Sequence, residues 1–208
     1  MSTVDERGVA HLFQRNSHTG MPIKIPMRFE TEPLLWSVDN VYTEVECRDF
    51  IDLIEQSSPT LATNNPLYRD QDRVIKDDPV IAAELFCRLR PHLPEQIDRL
   101  RLVGLNDRLR LYRYRFGQRF APHMDHWYRP SENRVTLYTV LVYFNDDFDG
   151  GETRFQEQIE QTIIPKCGAA VIFQHKIRHE GCLVRRGVKY AMRSDVIYEA
   201  SEPISTLG

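Results

Sequence analysis

Up to about Thr31 the chain is polar and shows no hydrophobic period, with Ser17-His18-Thr19-Gly20 in its middle, which predicts an irregular arm over residues 1–31. Periodicity begins at Thr43. Its hydroxyl can cap a helix while Glu46, three residues on, closes a capping box, and Val45, Phe50, Ile51 and Ile54 supply an apolar stripe. A second helix is expected from Asp78, with Pro79 in the first turn, where a missing N–H costs nothing, and Ile81, Leu85, Leu89 and Leu93 recurring at helical spacing. A third short helix is expected after Pro94, through Ile97 and Leu100.

After Val103 the apolar positions alternate and turn residues become frequent: Asn106-Asp107, Gly117, Asp149-Gly150-Gly151, Lys166-Cys167-Gly168 and Arg186-Gly187. Short strands so punctuated predict two packed antiparallel sheets. The pattern is α+β, a helical part over 32–104 followed by a β core over 105–200 and a tail over 201–208, in a single domain.

The length of 208 residues suffices for one core with an extension, and a net charge of −3 offers no polyanion-binding surface, so nucleic acid is not an expected partner. The opening Met1-Ser2-Thr3-Val4-Asp5-Glu6-Arg7 lacks the basic start and apolar core of a signal peptide. The longest apolar run, Val140 to Phe144, is far too short for a bilayer, so no membrane is expected. Cys47, Cys87, Cys167 and Cys182 are scattered, as core residues of a reducing cytoplasm would be, and nothing in the chain sets an oligomeric state.

The chemistry concentrates in His123-Met124-Asp125 and in His179-Glu180-Gly181, with Lys189 ten positions after His179. On a strand, residues two apart point to the same side, so His123 and Asp125 can grip one ion. Two imidazoles and one carboxylate on one face of a metal leave the other face open, the geometry of non-heme Fe(II) oxygenases. Taken singly, His123 and Asp125 also fit a hydrogen-bonded surface pair, and His179 a satisfied core histidine. His126 would point to the opposite face of the strand, and His175 follows a buried strand rather than sitting on a helix, so neither is placed among the ligands.

Leu105 to Tyr198 resembles the catalytic domain of prolyl 4-hydroxylase-like, 2-oxoglutarate- and Fe(II)-dependent dioxygenases. The matching stretches are Tyr114 to Asp125 (YRFGQRFAPHMD), Arg134 to Asn145 (RVTLYTVLVYFN), Gly150-Gly151-Glu152-Thr153, Pro165 and Gly168, His179 to Cys182, and Gly187 to Tyr190. Leu183 stands where many relatives have proline. The resemblance implies a double-stranded β-helix, or jelly roll, buttressed by the N-terminal helices. It implies iron ligation by His123, Asp125 and His179, a bond from Lys189 to the C5 carboxylate of 2-oxoglutarate, and Tyr143 and Tyr114 along the cosubstrate. Arg193, four residues after Lys189, is the reserve cation.

The implied reaction consumes O₂ and 2-oxoglutarate, releases CO₂ and succinate, hydroxylates an unactivated C–H bond, and uses ascorbate as reductant. The substrate is expected to be a residue in a protein or peptide, or alternatively a free amino acid or small metabolite. An inactive jelly-roll binding module is the reading from a different class. His126 to Asn133 reads as a loop at the mouth of the site, with Trp127, Tyr128 and Arg129 as candidate substrate contacts.

Overall fold

The computed structural model describes residues 23–62, 65 and 68–207. Most of the arm, including Ser17-His18-Thr19-Gly20, lies outside the described residues. Strands β1 (Leu35–Val38), β2 (Asp72–Asp77), β3 (Leu100–Leu105), β4 (Arg108–Tyr114), β5 (Phe120–His123), β6 (Arg134–Tyr143), β7 (Thr153–Phe155), β8 (Gln161–Ile163), β9 (Ala170–Gln174), β10 (His179–Gly181) and β11 (Lys189–Ala200) form two facing sheets. In the large sheet the order runs β1-β9-β6-β11-β4-β2, with β3 on the second half of β11; in the small one it is β8-β7-β10-β5. All these pairings are antiparallel. This is the jelly roll implied by the resemblance.

The period of two along β6 and β11 sorts their side chains between two cores. Val140, Val142, Met192 and Val196 are buried with the helices, whereas Tyr143 and Ala191 join Phe155, Phe173 and Ile177 between the sheets. Helices α1 (Glu44–Gln56) and α2 (Pro79–Leu89) cover the first face. The capping box of α1 is present: Glu46 N–H donates to Thr43 Oγ1 at 3.3 Å and Thr43 N–H to Glu46 Oε2 at 2.8 Å. Asp78 caps α2, accepting from the N–H groups of Val80 and Ile81 at 3.1 and 3.0 Å, and Pro79 opens it. The expected stripe of α1 is shifted, because Cys47 and Ile54 are buried while Val45 is 59% exposed.

Three expectations need correction. The segment after Pro94 is no helix: Asp98 takes a φ of 51°, and Gln96–Ile97 turns back to pair with β3. Ile97 and Leu100 are both buried, but as directly facing residues of a hairpin, a geometry that imitates a helical spacing of three. The part over 32–104 is accordingly mixed rather than helical, since β1, β2 and β3 lie in it. Finally, the arm and tail are structured where they meet, Ile23–Ile25 pairing in parallel with Ile204–Leu207. Among the described residues no helix is long and apolar enough to cross a membrane.

Candidate metal centre

Between the sheets opens a cleft lined by both, including Tyr112, Tyr114, His123, Asp125, Thr139, His179, Lys189 and Arg193. His123 ends β5 and faces His179 of β10 across the sheet register, and Asp125 follows two residues on. One donor atom from each of His123, Asp125 and His179 falls within 4.8 Å of the others. The Nε2 atoms of His123 and His179 lie 3.9 and 3.8 Å from Asp125 Oδ1 and Oδ2.

Each imidazole is aimed by its far nitrogen. His123 Nδ1 bonds to the Ala121 carbonyl at 2.8 Å and His179 Nδ1 to the Ile177 carbonyl at 2.9 Å, so both rings present bare Nε2 to the centre. Burial, reinforced by His179, pushes the His123 pKa down to about 3, and burial lowers that of His179. Although its burial opposes ionisation, Asp125 is held well below the usual carboxylate range by Arg193 and the two histidines. Two neutral imidazoles and one ionised carboxylate are the protonation states that a divalent metal requires. The donor set therefore fits Fe(II) with an open face.

Lys189 opens β11 opposite Tyr114. It is only 3% exposed, and burial pushes its pKa down to about 8. Its Nζ donates to the Gly151 carbonyl at 2.6 Å and lies 5.3 and 5.0 Å from the ring centres of Tyr114 and Tyr143. Among the described residues no carboxylate forms an ion pair with it. A buried ammonium with donors to spare, in a cleft shared with the metal ligands, suits an incoming carboxylate. Gly151 makes this approach feasible: its φ is 65°, and a Cβ there would lie 3.1 Å from Lys189 Cδ and 2.9 Å from the Phe148 ring. Tyr143 Oη and Thr153 Oγ1, 2.7 Å apart, continue the wall.

Arg193 has another occupation. Its Nη1 donates to Asp125 Oδ1 at 2.6 Å, and its Nη2 to Asp195 Oδ1 at 2.9 Å. The reserve cosubstrate cation lines the cleft, and its charge is already paired with the carboxylates of Asp125 and Asp195. The other oxygen, Oδ2, accepts from Thr139 Oγ1 at 2.5 Å.

The loop after Asp125 is not at the centre. Arg129 Nη2 donates to the carbonyls of Glu132 and Ile204, at 3.0 and 2.7 Å, tying the loop to the C-terminal strand. Trp127 packs on the helix-covered core, with Lys176 Nζ 4.3 Å from its ring centre. Tyr128 faces a separate depression with Phe86 and Val103. None of the three is among the residues that line the metal cleft. His126 is exposed, and His175 is buried among threonines.

The reading from sequence missed Thr139, Phe120 and Tyr68. Phe120 stacks on His123 with ring centres 3.6 Å apart, and Tyr68, 43% exposed, stands edge-on to His123 at 6.3 Å. Thr139 carried a signal, since it shares a strand face with Leu141 of the cleft; Phe120, three residues from His123, and Tyr68, in an irregular segment, carried none.

Residues 109–194 match the model of the 2OG-Fe(II) oxygenase superfamily. Mouse (Mus musculus) prolyl 3-hydroxylase 2 is 41% identical over 51 residues, a stretch that is 23% of this chain and 7% of that protein's length. Among solved structures, a viral collagen prolyl hydroxylase from Paramecium bursaria Chlorella virus-1, in its 2OG complex, superposes with a TM-score of 0.58 at 19% identity, over 81% of this chain and 97% of the other. A Pseudomonas putida prolyl-4-hydroxylase gives 0.58 at 15% identity, over 78% and 91%. A Trichoplax adhaerens prolyl hydroxylase, in complex with a hypoxia inducible factor oxygen degradation domain peptide fragment, gives 0.59 at 16%, over 78% and 82%. At these identities the structural likeness speaks for the fold.

Proposed function

We propose that this chain, whose residues 109–194 match the model of the 2OG-Fe(II) oxygenase superfamily, hydroxylates a C–H bond of a residue in a protein or peptide, with 2-oxoglutarate and O₂ as cosubstrates. The observation that carries this reading is a buried lysine, without a carboxylate partner among the described residues, in the same cleft as a His-Asp-His set already in metal-binding protonation states. When bound, Fe(II) and 2-oxoglutarate supply the oxidising chemistry: 2-oxoglutarate, O₂ and R–H give succinate, CO₂ and R–OH.

The protein's part is to bind, orient and exclude water. His123, Asp125 and His179 hold the metal on one side. Lys189 pairs with the far carboxylate of the cosubstrate, desolvated by Tyr114 and Tyr143, and so sets which end points to the metal. Phe120, Leu141 and Phe173 keep the cleft apolar between these charges. A macromolecular substrate is favoured by an open rim bearing Tyr68 and Met124, 43% and 38% exposed, on which a chain can lie, and by analogy with the peptide complex of the Trichoplax protein.

Succinate release from 2-oxoglutarate, measured with Fe(II), ascorbate and O₂ in the presence of proline-containing peptides or of free amino acids, tests the reading. Stimulation by a peptide, with an added oxygen located by mass spectrometry, is the expected result. Stimulation only by small metabolites would reassign the substrate class. No succinate under any condition would leave a binding module.

A further inference from the structure

Behind the metal centre, in the large sheet, a buried polar chain runs from Asp125 to the start of the loop at Tyr128. Its members are Thr139, His175 and Thr136, at 1%, 0% and 0% exposure. His175 reaches Asp125 by two routes, one direct and one through Thr139. Its carbonyl accepts the Asp125 N–H at 2.8 Å, while its Nδ1 lies 2.9 Å from the same Thr139 Oγ1 that stands 2.5 Å from Asp125 Oδ2. On its far side His175 Nε2 lies 2.9 Å from Thr136 Oγ1, which accepts the Tyr128 N–H at 2.9 Å.

The donors in this chain can be assigned by elimination. An ionised Asp125 only accepts, so the single hydroxyl hydrogen of Thr139 is spent on Oδ2. The Thr139 oxygen must then accept from His175, which requires a hydrogen on Nδ1. A neutral ring protonated there has a bare Nε2, and Thr136 supplies its hydroxyl hydrogen to it; the Thr136 oxygen is left to accept from Tyr128. Every donor meets one acceptor, and reversing any link would set two hydrogens against each other or leave a buried group unpaired.

From this geometry we infer that His175 is a positioning residue for the metal-binding carboxylate: through Thr139 and its own carbonyl it fixes the rotamer and the plane of Asp125. Arg193 holds the opposite oxygen, so the carboxylate is gripped at both ends before a metal arrives. The inference rests on the metal-binding reading above and explains a buried histidine that lies outside the ligand set. Groups that orient metal ligands in this way typically contribute about 10–100-fold to metal affinity.

The test uses the full chain without cosubstrate and reads Mn(II) affinity by titration and the Co(II) visible spectrum. Thr139→Val and His175→Leu, which keep bulk but remove the hydroxyl or the ring donor, are expected to weaken Mn(II) binding by about 10–100-fold and to alter the Co(II) bands. Thr139→Ser and His175→Asn, which retain a hydroxyl and an N–H donor, are expected to recover most of the affinity. A second measurement needs no variant. Long-range ¹H–¹⁵N NMR on the Zn(II)-loaded wild type should find His175 as the Nδ1–H tautomer, and an Nε2–H tautomer would overturn the inference even if the variants fail to fold. Wild type that binds metal alongside a His175→Leu that binds it equally well would also overturn it. Wild type that binds neither Mn(II) nor Co(II) would instead sink the metal reading itself.

Discussion

At the scale of the residue, the two cations of the cleft separate by what each already holds. Lys189 donates to a backbone carbonyl and, among the described residues, pairs with no carboxylate, so Lys189→Ala should leave metal binding intact while the Kd for 2-oxoglutarate rises by two orders of magnitude or more, since breaking a buried ion pair costs about 3–5 kcal/mol. Arg193→Ala should act on the metal instead: it leaves Asp125 and Asp195 buried without their shared cation, so metal affinity and thermal stability should both fall. Parallel titrations with Mn(II) and 2-oxoglutarate check this, and a selective loss of 2-oxoglutarate binding in Arg193→Ala would return the docking role to it. The convergence of His123, Asp125 and His179 was legible because His-x-Asp, a distal His and a lysine ten residues on form an ordered local signature. The role of Arg193 was not, because strand alternation gives the face of a side chain and not the carboxylates across from it.

At the scale of the element, helix starts were legible and loops were not. Thr43 and Asp78 cap as read, because a cap is a contact between residues two or three apart. The hairpin at Asp98 was missed because Ile97 and Leu100 satisfy a helical and a paired-strand pattern alike, and only pairing of β3 with β11 decides between them. For the loop after Asp125, proximity in sequence to a ligand suggested substrate contact, yet Arg129 turns away to the Ile204 carbonyl. Arg129→Ala should therefore lower the melting temperature by a few degrees, the effect of about 1–2 kcal/mol on a chain of this size, while the ratio of succinate to hydroxylated product stays that of wild type. A raised ratio in a variant of unchanged stability would restore the loop to the substrate.

At the scale of the whole molecule, the double sheet brings donors far apart in sequence into one dry cleft, and the histidines there carry a common thermodynamic signature. His123, His175 and His179 all have pKa values depressed mainly by burial, to about 3 and about 4 for the first two, against 6.5 for an ordinary histidine. Between about pH 6.5 and pH 4 the unfolded chain therefore binds protons that the folded chain refuses, so stability falls as pH drops through that window. The lowered carboxylates Asp125 and Asp195 extend the same trend below pH 3.8, where the unfolded chain protonates them and the folded chain does not. Each of His123 and His175 should contribute a loss of about 2 kcal/mol between pH 7 and pH 5. Urea midpoints at pH 7 and pH 5 measure the sum, and the midpoint at pH 5 is expected to be clearly lower. Mn(II) at pH 7 should move it the other way, by about 2.7 kcal/mol at a free concentration of one hundred times its Kd. The folded chain keeps His123 deprotonated at both pH values, so protons do not compete with Mn(II) there and its stabilisation, at the same multiple of its Kd, should be about equal at pH 5 and pH 7. Equal midpoints at pH 7 and pH 5 would mean that these histidines titrate freely and that the cleft is wet.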